Sequence, residues 1–116
     1  MIAEDAVIEA LKALAHPLRF RILAVLAAGE RNVGEIEQIT GIAQPGLSQQ
    51  LGVLRKAGLV DTRKHAKLVF YAVSAAQIGA VIAALAALAP GLADTPESAV
   101  PLRRPAPGVA NFARMS

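Results

Sequence analysis

Residues 44–58 read Gln44-Pro45-Gly46-Leu47-Ser48-Gln49-Gln50-Leu51-Gly52-Val53-Leu54-Arg55-Lys56-Ala57-Gly58, and the fold turns on them. Leu47, Leu51 and Leu54 recur at i, i+4 and i+7, the spacing of one apolar stripe on a helix. Pro45 stands where a first-turn proline is tolerated, and Gly58 is placed to close the helix. The spacing predicts a helix from about Gln44 to Ala57. At 100° per residue the face opposite the leucines presents Pro45, Gln49, Gly52 and Lys56, flanked by Ser48 and Val53, without a large apolar group. Gly46 and Gly52 each cost about 1 kcal/mol in a helix interior relative to alanine. A helix that must approach a phosphate backbone or a base edge gains from the missing side chain; close helix-helix packing is the competing explanation for Gly52.

Upstream, Val33, Ile36 and Ile39 mark a short helix that stops at Gly41, three or four residues before the central one begins. Val7, Leu11 and Leu14 predict a first helix, and Leu18, Ile22, Val25 and Leu26 a second that opens at Pro17 and ends at Gly29. Downstream the period changes from helical to alternating in 59–63 and again in 68–73, which predicts two strands joined by the basic tip Lys64-His65-Ala66-Lys67. A final helix from about Ala75 to Leu88 carries Ile78, Val81, Ile82, Leu85 and Leu88 on one stripe with alanines around the rest. A helix apolar on every side must be covered on every side, which implies a partner chain. Residues 91–116, rich in proline, show little periodicity and read as a flexible or loosely docked tail. The expected architecture is mainly α with a small β-hairpin wing, in the order α-α-α-α-β-β-α, forming one domain over 1–90.

Charge is distributed unevenly. Residues 1–43 carry four Lys/Arg against six Asp/Glu, residues 44–71 five against one, and residues 72–116 three against two. The central net charge of +4 is the footprint of a nucleic-acid surface, though charge alone describes a solvated face equally well. Glutamine amides pair with the N6/N7 edge of adenine and serine with either base type, so Gln44, Ser48, Gln49 and Gln50 are the candidate base readers. Arg55, Lys56, Arg63, Lys64, His65 and Lys67 are the candidate phosphate contacts, which position a protein on DNA without reading sequence.

Other chemistries lack material. The chain has no cysteine, which removes disulfides, thiolate metal sites and thiol regulation. Its two histidines, His16 and His65, fall on unrelated elements without acidic neighbours, and no metal site or cofactor is expected. His16 is expected to order the junction of the first two helices. The inventory for an enzyme is missing: no Asp or Glu pairs with a His, and there is no phosphate-cradling loop. The acidic start, Met1-Ile2-Ala3-Glu4-Asp5, is unlike a signal peptide, and the uncharged run 75–89 is shorter than the roughly 20 residues of a membrane-spanning helix. No membrane association and a cytoplasmic location are expected.

Four stretches together resemble the ArsR/SmtB family of bacterial winged-helix repressors over roughly residues 8–74. They are Leu11-Lys12-Ala13-Leu14-Ala15-His16-Pro17-Leu18-Arg19, Val33-Gly34-Glu35-Ile36, Gln44-Pro45-Gly46-Leu47-Ser48-Gln49-Gln50-Leu51 and Leu54-Arg55-Lys56-Ala57-Gly58-Leu59-Val60. The resemblance implies a sequence-specific repressor that is a homodimer, its first and last helices paired across the twofold through Val7, Leu11, Ile78, Val81, Ile82, Leu85 and Leu88. Two such helix-turn-helix units read a palindromic double-stranded operator with half-sites about 34 to 36 Å apart. The family's sensing residues are not matched: Ala24 stands where redox-sensing relatives often carry Cys, and the last helix offers no metal donors. A small-molecule effector, held in an apolar cavity between the terminal helices, stays open. So does a second reading, a winged-helix interaction module whose basic face binds an acidic protein. Ala43 also departs from the family, which usually places a capping Ser there, and loss of that oxygen at about 1 kcal/mol predicts a frayed helix start unless Gln44 or DNA compensates.

Overall fold

The structure, a computed structural model, describes residues 3–93, which fall into two compact units, 3–81 and 82–93. The boundary between the two units falls inside the last long helix. The expected tail, 91–116, lies outside the described residues from 94 onward.

In the first unit, helix α1 (Glu4–Leu14) begins with Glu4 and Asp5 and carries Lys12 in its last turn, each sign matching the helix dipole. Helix α2 (Pro17–Ala27) has Pro17 in its first turn and His16 as its cap, with His16 Nδ1 accepting from Leu18 N at 3.2 Å. His16 therefore orders the helix junction, as expected from its place before Pro17.

A strand absent from the expected order follows. β1 (Arg31–Asn32) leads directly into α3 (Val33–Thr40), whose start is held by a reciprocal capping box: Asn32 Oδ1 accepts from Glu35 N, and Asn32 N donates to Glu35 Oε1, both at 3.0 Å. Gly41, at φ +76°, ends α3 in the left-handed conformation that glycine adopts without steric cost. Of the residues expected to mark this helix, Ile36 is fully buried and Ile39 is exposed.

Helix α4 (Gly46–Lys56) is shorter at both ends than the predicted 44–57, and Leu47, Leu51 and Leu54 are all buried. Strands β2 (Val60–His65) and β3 (Leu68–Val73) pair antiparallel from Val60↔Val73 to His65↔Leu68. Lys64 and His65 are thus strand residues, and the tip contracts from the expected four residues to Ala66-Lys67. These two have φ +52° and +72°, the signs of a two-residue turn matched to strand twist. β1 pairs with the other edge of β3 through Arg31↔Tyr71 and Asn32↔Phe70, so the wing is a three-stranded sheet in the order β1-β3-β2. Leu59 joins helix to wing: it is fully buried, its N–H bonds Leu54 O, and its carbonyl accepts from Ser74 N.

Helix α5 (Ala75–Ala86) starts in this unit, where Ile78 and Val81 pack into one core with Ala10, Ala13, Ile22, Leu23, Leu26, Ile36 and the α4 leucines. Burying one aliphatic side chain is worth about 1.5 to 3 kcal/mol, so this core fixes how α4 and the wing are carried. The second unit holds the end of α5 and a four-residue helix, α6 (Pro90–Ala93), which the sequence reading had not marked. Ile82 and Leu88 are 60% and 80% exposed and Leu85 is exposed too.

Candidate nucleic-acid interface

The buried leucines of α4 leave Ser48, Gln49, Gly52, Val53, Arg55 and Lys56 exposed, with Gln44 and Pro45 exposed ahead of the helix. The start of α4 is held by a side chain after all. Gln44 Oε1 accepts from Ser48 N at 3.1 Å and from Ser48 Oγ at 2.6 Å, filling the role left empty by Ala43. A backbone N–H and a hydroxyl that donate to the same atom require that atom to be the carbonyl oxygen, so the amide orientation follows from its partners. Gln44 thereby offers only its NH₂ outward, and Ser48, its proton given to Gln44, offers lone pairs.

Gln50 differs from its neighbour. It is half-buried, and its Oε1 accepts from Arg19 Nη1 at 2.8 Å. Arg19 also donates from Nε to Ala13 O at 2.7 Å and from Nη2 to Lys12 O at 3.5 Å. Those carbonyls belong to the last turn of α1, whose acceptors have no partner within the helix. One guanidinium on α2 thus ties the end of α1 to the middle of α4. Gln49 makes no such bond, and both ends of its amide are free.

No Cβ added at Gly46 or Gly52 would meet another atom within 4 Å. Packing within the chain therefore gives no reason for Gly52 to be glycine. At Gly58 the reason is local: φ is +76°, and a Cβ would come within 3.2 Å of Gln77 Nε2, which donates to Ala57 O at 3.0 Å and closes the end of α4 from α5.

The cations divide into two groups. Arg55, Lys56, Lys64 and Lys67 are exposed, as is His65, and none makes an ion pair among the described residues. Arg63 is engaged: its Nε and Nη2 donate at 2.8 Å to the two carboxylate oxygens of Glu30, and its guanidinium lies 5.0 Å from the Phe70 ring centre across the strand pair. The hydrogen bonds from Arg63 hold the Glu30 carboxyl below its ordinary range, and Glu30 in turn raises Arg63. Arg63, expected among the phosphate contacts, is thus paired here with a carboxylate 33 residues away along the chain. Of the residues assigned to the dimer interface, Val81 is buried in its own core and Leu11 and Ile78 pack against that core. Val7 is half-buried, while Ile82, Leu85 and Leu88 are exposed, as is Ile8, which was not among the expected interface residues.

A groove of about 350 Å³ lies beside α4, lined by Glu9, Lys12, Ala13, Arg19, Val53, Lys56 and Ala57. It is walled by the first, second and fourth helices. Among the described residues no three His, Asp or Glu side chains gather into a metal site, and no helix is long and apolar enough to cross a membrane.

The helix-turn-helix of α3 and α4 followed at once by a hairpin has known counterparts. A family described as a helix-turn-helix domain matches residues 14–63. The biofilm growth-associated repressor of Agrobacterium fabrum is 53% identical over 78 residues, 67% of either chain. The chain belongs to the ArsR/SmtB family of winged helix-turn-helix transcriptional regulators. The chain spans about two thirds of the length of the curated relatives it matches. Among solved structures, the transcriptional repressor BigR from Xylella fastidiosa is 45% identical, with a TM-score of 0.59 over 73% of this chain and 87% of that one. The homodimeric winged helix-turn-helix domain Mb0332 from Mycobacterium bovis is 33% identical, with a TM-score of 0.62 over 73% of this chain and 79% of that one. The second helix of the helix-turn-helix, α4, and the β2-β3 wing are the two elements that carry the exposed Gln49 and the cations that make no ion pair among the described residues.

Proposed function

We propose that the protein is a homodimeric, cytoplasmic repressor that reads a palindromic operator by placing α4 of each subunit in a major groove. The observation that carries this reading is the exposed face of α4. It offers Gln49 with both amide ends free, Gln44 and Ser48 as a donor and acceptor pair, and no side chain at Gly52, while the leucines behind it are buried. Arg55, Lys56, Lys64, Lys67 and His65 are assigned to phosphate contacts. The exposed Ile82 and Leu85 of α5 and Leu88 just beyond it are assigned to the dimer contact, which buries apolar side chains that stand in solvent here.

The test is footprinting and titration on DNA from upstream of the protein's own gene. We expect a protected palindrome bound at least a thousandfold more tightly than scrambled DNA of the same length at about 150 mM salt. Equal affinity for the two would refute sequence-specific regulation. A Gln49→Ala variant should lose roughly 1 to 3 kcal/mol on the operator alone. The acidic-protein module would instead give no shift on any DNA at low salt and co-purification of an acidic partner.

A further inference from the structure

We propose that Arg19 is the positioning residue of the recognition helix and that Gln50, in the middle of that helix, is the strut it holds rather than a base reader. The inference rests on the DNA-reading role of α4 given above. Reading adenine with a glutamine requires both ends of the amide, the carbonyl accepting from N6 and the NH₂ donating to N7. Gln50 has its carbonyl committed to Arg19 Nη1 at 2.8 Å, and the half-buried side chain is drawn toward α2 rather than outward. The acceptor must be the carbonyl oxygen, because a guanidinium only donates.

Arg19 is built for this task by three bonds made at once. Nε and Nη2 hold the last-turn carbonyls Ala13 O and Lys12 O of α1, and Nη1 holds Gln50 on α4. A planar guanidinium fixes the directions of its donors relative to each other, so the end of α1 sets the roll of α4 about its axis. That roll decides where Gln49, one residue before Gln50, meets the groove. A rotation of about 20° moves an atom 6 Å from the helix axis by roughly 2 Å, beyond the tolerance of a hydrogen bond. Removing the strut therefore costs operator recognition although neither partner touches a base.

Two arms test this, one without DNA. In the full chain, nitrogen-detected NMR of the Arg19 guanidinium should show restricted rotation that Gln50→Ala releases and Gln50→Glu retains. Free rotation in the wild type would overturn the proposal whether or not the protein binds DNA. In the second arm, affinity is measured on the footprinted operator and on a set with each half-site base pair replaced singly. Gln50→Ala should weaken the operator about tenfold with the rank of base preferences unchanged, and Gln49→Ala should flatten the preference at one position. Gln50→Glu, which keeps an acceptor for Arg19, should keep that same rank of preferences. Arg19→Gln should bring no further loss when combined with Gln50→Ala, as expected of two ends of one strut. Flattening of a base position by Gln50→Ala, or additive losses, would overturn it. Should Arg19→Gln fail to fold, the Gln50→Ala and Gln50→Glu pair carries the same test. Absence of any sequence preference in the wild type would count against the DNA-reading role, and the guanidinium arm would still decide the strut.

Discussion

Replacing Gly52 by alanine separates stability from recognition. Gly52 lies in the interior of α4, on the exposed face beside Gln49, and an added Cβ would meet no atom within 4 Å. The chain therefore loses nothing by the change, and the helix gains the roughly 1 kcal/mol by which alanine exceeds glycine in a helix interior. For a domain of this size that gain raises Tm by about 4 to 8 °C. The effect on DNA has the opposite sign. If the backbone at Gly52 approaches the DNA closely, a methyl group holds the helix away by about 1 Å. A hydrogen bond of 2.9 Å becomes one of nearly 4 Å, which is none. Losing one base contact at about 1 to 3 kcal/mol weakens binding by roughly 5-fold to 150-fold. Thermal melting by circular dichroism and a gel-shift titration at fixed salt measure the two halves. A variant that melts higher and binds its operator as tightly as the wild type would refute the argument that the glycine serves close approach. A variant that does not melt higher would refute the claim that it costs the free protein stability.

Glu30→Gln should act on both pH response and DNA affinity. Arg63 depresses the Glu30 carboxyl in the folded state, so its contribution is present above the unfolded value of 4.5 and is lost as pH falls through the lower folded value. The Tm difference between wild type and variant should therefore shrink below about pH 4.5, and a difference that grows there would contradict the pairing. The same change frees Arg63, and the slope of log affinity against log salt should steepen by about one unit. Lys64→Ala should weaken operator and scrambled DNA alike and flatten that slope by about one unit; a loss confined to the operator would make Lys64 a reader. Ile82→Asp should shift the protein toward monomer in light scattering, and an unchanged dimer mass would remove α5 from the interface.

The parts of the fold that were legible in the sequence are those with a period or a forced backbone conformation. Leu47, Leu51 and Leu54 declared α4, and Gly41 and Gly58 marked helix ends where φ is positive. His16 was readable because a residue before a first-turn proline is a natural cap. β1 escaped notice because two residues have no period, although Asn32-x-x-Glu35 ahead of Ile36 is a capping-box signal that could have placed the start of α3. The wing turn was set too long because Ala66-Lys67 lacks the Asn-Gly chemistry that usually announces a two-residue hairpin. Pairings across 31 and 33 residues, Arg19–Gln50 and Glu30–Arg63, have no local signature at all. They come from tertiary packing, and they change the candidate site most.

The Arg19–Gln50 pairing limits how much sequence information one subunit can read on the proposed reading. Among the described residues Gln49 is the glutamine of α4 with a free bidentate edge, worth about 1 to 3 kcal/mol against a wrong base. The Gln44–Ser48 pair, with one donor and one acceptor facing out, adds at most a contact of similar size. Specific regulators distinguish their sites from bulk DNA by about 4 to 10 kcal/mol. If these are the readers, one subunit supplies roughly 2 to 6 kcal/mol and reaches only the lower part of that range. Two subunits on two half-sites double the free energy and square the ratio, which brings the total to about 4 to 12 kcal/mol. On the proposed function, specificity therefore depends on the dimer contact as directly as on α4. A monomeric Ile82→Asp variant should keep most of its affinity for scrambled DNA per subunit while its preference for the operator falls to about the square root of the wild-type ratio. A monomer with the full ratio would mean that a single α4 reads more bases than its free side chains allow.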